Sequence, residues 1–185
     1  LPLSGSTFKK IYYDDLLGRA VSKFVPADDL IVPYSANSLE DAEAIVHVIR
    51  MSENEIRKQQ VSGFYKDVEV GNPPVTSNEL KDTELKLEGI TKNSNQDQFN
   101  LLEMHVDLDL EGFEDMGQDG EPTGIKLPYI VTILESTNEI LSIRRNYTED
   151  DPLKEKIKYF VQFKFLPGTG FYGFGLIHMI GGLTR

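Results

Sequence analysis

The amino-acid sequence predicts an α+β fold that consists mostly of antiparallel β-hairpins, with two or three short helices. Segments in which apolar and polar residues alternate recur along the chain, and short turn-forming stretches separate them. A helix-capping sequence occurs near residue 52. The length suits one domain, so residues 1–185 are predicted to form a single domain, with 71–126 as a possible inserted or variable segment.

Strands are predicted in the first part of the chain at residues 7–13, 19–25, 30–34 and 44–51. Turn-forming residues join the first two strands, which indicates a hairpin. Pro33 places the third strand at a sheet edge, because proline has no N–H to donate to a ladder. The fourth strand is rich in β-branched residues, which is typical of a buried strand.

Helices are predicted at three places. Ser52 and Glu55 have the spacing of a capping box, so a helix is expected over residues 53–63. A second helix is predicted over residues 78–90, where a polar cap precedes apolar residues at helical spacing. A third is expected to begin at Leu176.

The second part of the chain is predicted to return to strands, at residues 99–110, 128–134, 139–147 and 159–165. Strict alternation in the first of these, from Met104 onward, indicates a strand with one exposed face. A turn at residues 136–138 joins the next two strands into a hairpin.

The negative charge is concentrated in one segment. The net charge is −11, and nine acidic residues but no Lys or Arg lie between Asn93 and Ile125. Duplex DNA is bound mainly through Lys and Arg that neutralise phosphates. This segment is therefore expected to repel DNA.

Composition excludes several classes of protein. The chain has no cysteine, which excludes disulfide-stapled scaffolds and zinc sites built on thiolates. No signal peptide is recognisable, and no apolar run reaches the roughly 18 residues that a membrane span needs. We therefore expect a protein made in a reducing cytoplasm, where the glycosylation sequon at Asn146 has no effect.

A glycine-rich loop offers an enzymatic alternative. Gly168, Gly170 and Gly173 match the G-x-G-x-x-G pattern, and the loop lies between a predicted strand and a predicted helix. That context suits a nucleotide- or small-ligand-binding enzyme domain using residues 168–173. Aromatic residues in the loop and the antiparallel surroundings favour a different interpretation, in which the glycines let an aromatic loop pack on a neighbour.

Other candidate sites have simpler explanations. Residues 115–121 are acidic, but they lack the spacing of an EF-hand calcium loop. Asp107 and Asp109 share one strand face, as alternation on an exposed sheet also predicts. The three histidines lie in three separate apolar segments. No catalytic residue, metal ligand or cofactor is predicted.

Three stretches resemble the portal (head-to-tail connector) proteins of tailed bacteriophages, notably those with short tails. Residues 13–34 are YDDLLGRAVSKFVPADDLIVPY. Residues 47–68 contain HVIRM and NEIRKQQVSGFYKDV. Residues 163–183 are FKFLPGTGFYGFGLIHMIGGL. They occur in the order that this family leads us to expect, whereas residues 71–126 show no such resemblance.

The resemblance implies a structural subunit and not an enzyme. In this family the subunits form a ring, usually of twelve copies, through which double-stranded DNA is packaged and ejected without sequence specificity. It implies capsid, tail-adaptor and terminase proteins as partners, and a place in the virion and, during assembly, in the host cytoplasm. Portal subunits are several times longer, so we expect this chain to be a fragment with a wing-like fold.

Six residues are candidates for contacts with a neighbouring subunit or with DNA, and they are Arg57, Lys58, Arg144, Arg145, Phe171 and Tyr172. The four cations could meet phosphate or the acidic segment of the next subunit, although a basic cluster is more often a solvated face. Replacing both Arg144 and Arg145 by Glu is expected to block ring assembly, and intact rings after that change would rule this contact out.

Overall fold

The structure of the protein is a computed structural model, which describes residues 1–14, 18–72, 98–117 and 119–181. The helix predicted over residues 78–90 lies outside these residues, as does the centre of the first hairpin turn.

The described residues form two antiparallel sheets and two short helices, which confirms the predicted α+β class with β-strands dominant. The strands are β1 (Ser6–Asp14), β2 (Arg19–Val25), β3 (Leu30–Ile31), β4 (Ala44–Ser52), β5 (Gln98–Leu108), β6 (Leu127–Leu134), β7 (Glu139–Arg145) and β8 (Phe160–Lys164). One sheet has three strands in the order β2-β1-β8, and the other has five in the order β3-β4-β5-β6-β7.

The first predicted hairpin is confirmed, and a distant strand joins it. β1 pairs with β2 from Phe8↔Val25 to Asp14↔Arg19. Its other edge pairs with β8, but only from Ser6↔Lys164 to Lys10↔Phe160. The distal part of the hairpin therefore extends past the end of β8.

β3 is an edge strand, as Pro33 predicts. It contains only Leu30–Ile31, pairs with His47 and Val46 of β4, and ends before the proline. Pro33 is therefore not part of the ladder, where its missing N–H would leave a hydrogen bond unmade.

Helix α1 (Glu53–Val61) begins with the predicted capping box. The Ser52 N–H donates to the Glu55 carboxylate at 2.8 Å, and the Glu55 N–H donates to the Ser52 hydroxyl at 3.4 Å. The helix ends two residues before Gly63, whose φ of 78° favours glycine. Helix α2 has only five residues, Leu176–Ile180, and none of them is buried.

The chain divides into two compact units. The first comprises Leu1–Val48, Met104–Ile130 and Arg144–Arg185. Its core contains Phe8, Val25, Leu30, Ala36, Ala42, Ile45, Phe160 and Phe171.

The second unit comprises Ile49–Glu103 and Val131–Ile143. Its core contains Ile56, Tyr65, Phe99, Leu101, Leu134 and Leu141. Ile56 is the apolar residue through which α1 joins this core, and it is fully buried.

Candidate functional site

Arg57 and Lys58, two of the six candidates, lie on the exposed surface of α1 in the second unit. The Arg57 guanidinium is 2.5 Å from the Asp67 carboxylate and 3.1 Å from the Gln60 side-chain oxygen. Both members of the ion pair are well exposed, so solvent screens it and it adds little stability. Arg57 therefore has a carboxylate partner within its own chain.

Arg144 and Arg145 lie at the end of β7, in the first unit. Arg145 forms an ion pair with Glu149, four residues later in the chain. Arg144 is half-buried. Arg57 and Lys58 belong to the second unit, and Arg144 and Arg145 to the first.

Phe171 and Tyr172 have opposite surroundings although they are adjacent. Phe171 is buried in the first core, where its ring stacks on Phe8 at a centroid distance of 5.7 Å. Tyr172 is 49% exposed. Of the two aromatic candidates, Tyr172 is thus the one that a neighbouring molecule can reach.

The glycines of the aromatic loop lie against the backbone of this same chain. The Gly173 N–H donates to the buried hydroxyl of Ser6 at 2.7 Å. A Cβ atom at Gly173 would lie 2.8 Å from the Leu166 carbonyl oxygen, and one at Gly175 would lie 2.6 Å from the Gly5 nitrogen. The Leu176 N–H donates to the Pro2 carbonyl at 2.7 Å. Here glycine permits close packing of backbone on backbone.

The loop after β5 is acidic, and we call residues 109–117 and 119–123 the acidic loop. An isolated bridge joins Met116 to Pro122, and the Gly117 N–H donates to the Glu121 carbonyl at 2.9 Å. Four of its carboxylates are exposed, those of Asp109, Glu111, Asp119 and Glu121.

Asp115 connects the acidic loop to Lys154, which lies in the segment between β7 and β8. Its carboxylate forms an ion pair with Lys154 and accepts a hydrogen bond from the Thr123 hydroxyl at 2.7 Å. Lys154 and then Thr123 hold the pKa of the Asp115 carboxyl below its usual value, and Asp115 raises the pKa of Lys154. Asp115 is the first carboxylate of the segment 115–121 that was weighed as a calcium loop, and its ion pair with Lys154 occupies it.

An open cleft of about 520 Å³ lies beside the acidic loop. Its lining residues are Gly112, Phe113, Glu114, Met116, Leu127, Arg145, Tyr147, Glu149 and Lys154. Both cations that line it, Arg145 and Lys154, already pair with carboxylates of the chain. The cleft is therefore a shallow surface feature with no cation left over for an anionic ligand.

Replacing Lys154 by Met is expected to lower the melting temperature at pH 7, because the acidic loop loses its anchor. The folded pKa of Asp115 is depressed, so the stabilisation is present above its ordinary pKa and is lost as the pH falls through the folded pKa. The difference between wild type and Lys154→Met is thus expected to be full above about pH 4 and to disappear in stronger acid.

Thermal unfolding across this pH range measures the effect, and Lys158→Met is the matched control. Lys158 is 3.8 Å from Glu40 with both side chains exposed, so its loss is expected to change little. An equal deficit for Lys154→Met at pH 3 and pH 7 would show that Lys154 stabilises the loop by packing and not by its charge.

Two of the three histidines meet at one aromatic ring. His47 of β4 and His105 of β5 both contact Phe160 edge to face, at centroid distances of 5.5 and 5.1 Å. His178 of α2 instead accepts the Gly175 N–H through Nδ1 at 3.1 Å. These are packing and capping positions. Among the described residues, no group of three or more His, Asp and Glu could hold a metal ion.

The sequon asparagine is inaccessible. Asn146 is fully buried, its N–H donates to the Pro128 carbonyl at 2.9 Å, and its own carbonyl accepts the Ile157 N–H at 2.9 Å. The folded chain leaves no room for a glycan on this side chain. The sequon has no structural meaning here.

One surface of the first unit is not indicated by any sequence pattern, and we call it the outer face. It is the side of the three-stranded sheet opposite the first core. It presents the apolar side chains of Ile11 (43% exposed), Tyr13 (63%), Phe24 (64%), Val161 (39%) and Phe163 (42%). The odd-numbered residues of β1 and the residues paired with them lie on this side of the sheet. Thr7 pairs with Phe163 of β8, and Lys9 pairs with Phe24 of β2 and with Val161 of β8. The alternation of residues 7–13 was a signal for two faces, but it did not show that both would carry large apolar groups.

No helix among the described residues is long and apolar enough to cross a membrane. Comparison with known proteins adds no relative: no family model matches this chain, and no curated protein matches it.

Proposed function

We propose that this chain is a region of a phage portal subunit, a structural component of the ring through which genomic DNA is packaged and ejected. One observation carries the proposal beyond the resemblance itself. Val25 and Leu30, from the stretch 13–34, share the first core with Phe171, from the stretch 163–183. Two stretches that resemble the same family, separated by 128 residues of chain, thus belong to one folded unit.

Exposed apolar groups support a role in assembly. Ile177, Met179 and Ile180 of α2 are 61%, 56% and 49% exposed, and Tyr172 and Phe174 before the helix are both 49% exposed. Apolar patches of this kind usually mark surfaces that another protein covers. A subunit of a ring contacts two neighbouring subunits and needs a surface for each of them.

The mechanism that we propose is mechanical and electrostatic. Copies of the chain close a ring through repeated contacts, and DNA slides along a wall that does not hold it. Carboxylates at the ends of the acidic loop would repel phosphates and so prevent the adhesion that Lys and Arg produce. Capsid, tail-adaptor and terminase proteins are the partners, and the ring acts in the virion.

Electron microscopy of the purified product of the complete reading frame that contains this chain tests the proposal. Closed rings with a central channel are the expected result. A monomer whose melting temperature rises with a nucleotide, and falls back when Gly170 is replaced by Val, would instead establish the enzymatic alternative at residues 168–173.

A further inference from the structure

The first hairpin ends in an arm that only two strands form. β8 pairs with β1 no further than Lys10, and the Ile11 N–H then donates to the Tyr159 carbonyl at 2.7 Å. From Tyr12 to Asp14, β1 pairs only with β2 among the described strands. The arm is therefore a two-stranded ribbon.

One side of this hairpin is basic, and it is the side opposite the outer face. The strand register places four pairs on it, which are Phe8↔Val25, Lys10↔Lys23, Tyr12↔Val21 and Asp14↔Arg19. The first pair is buried in the first core. We call the three pairs that follow it the basic side. Among the described residues, this side carries three cations and one carboxylate.

Two lysines lie directly opposite each other on the basic side. Like charges at paired positions of an antiparallel sheet repel each other and reduce its stability. The ammonium groups of Lys10 and Lys23 lie 5.8 and 5.7 Å from the centre of the Tyr12 ring, which attracts both. The ring offsets part of the repulsion, and an anion bound between the two ammonium groups would offset more of it.

The other cation of the basic side, Arg19, and Lys23 itself are both exposed, and neither forms an ion pair with any described carboxylate. The chain has 30 acidic and 19 basic residues, so carboxylates are abundant. Between β7 and β8, for example, Lys154, Lys156 and Lys158 each pair with one. The basic side thus presents positive charge that the folded chain leaves available for an external anion.

We propose that the basic side of the arm binds the phosphate backbone of duplex DNA without reading its sequence. This inference rests on the proposed function and names the surface of the chain that touches the DNA. Only a few cations take part, so the contact is weak, and salt weakens it further. Such a contact exchanges readily as the DNA slides, whereas the carboxylates of the acidic loop repel the DNA.

Duplex DNA suits this surface better than an acidic protein does. Lys23 and Arg19 are four residues apart on β2, so the cations extend along about 13 Å of the ribbon. The major groove of B-DNA is wide enough to admit a two-stranded ribbon, and phosphates line both of its edges. Protein interfaces instead have a core of large apolar groups with few charges. On the basic side the exposed groups are cations, since Tyr12 and Val21 are half-buried.

Fluorescence anisotropy of a short labelled DNA duplex, titrated with the full chain, tests the contact. Wild type is expected to bind at about 50 mM salt and to lose affinity steeply towards about 200 mM. Arg19→Gln with Lys23→Gln is expected to weaken binding at least tenfold and to reduce the slope of log affinity against log salt by about 2. Both side chains are exposed, so unchanged circular dichroism and melting temperature are expected. If this variant does not fold, Lys23→Gln alone replaces it, with a slope reduced by about 1.

Two controls remove positive charge from other places. Lys9→Gln removes a cation from the opposite side of the same hairpin, and Lys66→Gln with Lys126→Gln removes two exposed cations that lie outside it. Both controls are expected to keep the salt slope of the wild type. Inorganic phosphate added at matched ionic strength is expected to leave the duplex bound, whereas a site for single phosphate groups would release it.

Each outcome has a distinct meaning. A wild type that does not bind the duplex, an unchanged salt slope in the Arg19 and Lys23 variant, or an equal loss in a control would overturn the inference. So would displacement by inorganic phosphate, or wild-type self-association that the variant abolishes, which would assign the basic side to carboxylates of a second copy. Rings with unchanged DNA affinity in the variant leave the portal proposal standing without this contact. A monomeric product of the complete reading frame whose DNA affinity needs Arg19 and Lys23 keeps the contact and refutes the ring.

Discussion

Replacement of Phe8 by alanine is expected to lower the free energy of unfolding of the first unit by about 3–5 kcal/mol. Phe8 is fully buried. Its ring stacks on Phe171 at an interplanar angle of 16° and meets Tyr172 edge to face at 6.4 Å. Alanine would remove these contacts and leave a cavity that the paired strands on both sides of β1 cannot collapse to fill.

Urea denaturation followed by circular dichroism measures this loss, with Phe24→Ala as the matched control. Phe24 belongs to the same sheet but is 64% exposed, so its removal is expected to cost within about 0.5 kcal/mol at concentrations where the chain is monomeric. Equal losses for the two variants would contradict the assignment of the core side of β1.

Replacement of Gly175 by alanine has the second-largest expected effect, a loss of about 1–3 kcal/mol. A Cβ atom there would lie 2.6 Å from the Gly5 nitrogen and closer still to the Leu3 carbonyl oxygen. Backbone atoms cannot rotate away as a side-chain end can. The new methyl group must separate the segment at residues 1–5 from the start of α2.

Hydrogen exchange at the Leu176 amide reports on this separation, because that N–H donates to the Pro2 carbonyl. Its protection is expected to fall in Gly175→Ala. Gly170→Ala is the control in the same loop, since a Cβ atom there meets nothing within 4 Å. A stable Gly175→Ala protein with a protected Leu176 amide would show that the two segments are not in close contact.

Local sequence signals predicted the elements well wherever the forces are local. Ser52 and Glu55 predicted the start of α1, because a capping box satisfies backbone donors within four residues. Pro33 predicted the edge position of β3, because its missing donor is a property of the residue itself. The end of α1 was less well predicted, since the last helical residue precedes Gly63 by two positions.

The surroundings of the aromatic candidate residues could not be predicted from the sequence, because they depend on contacts between distant segments. Phe171 and Tyr172 are adjacent aromatic residues, and the sequence does not distinguish them. In the structure Phe171 is buried against Phe8, whereas Tyr172 is 49% exposed. Which residues form the outer face depends on which side of β1 packs against the first core.

The sequence by itself determined the strands and the first hairpin of the β-dominated fold, the cap of α1 and the concentration of negative charge between Asn93 and Ile125. These follow from side-chain chemistry and spacing over a few residues. Only the tertiary structure decided that β8 joins β1, that Gly175 lies against Leu3 and Gly5, and that one side of the hairpin is left exposed. Alternation defines two faces of a strand, but burial of one of them requires partners from elsewhere in the chain.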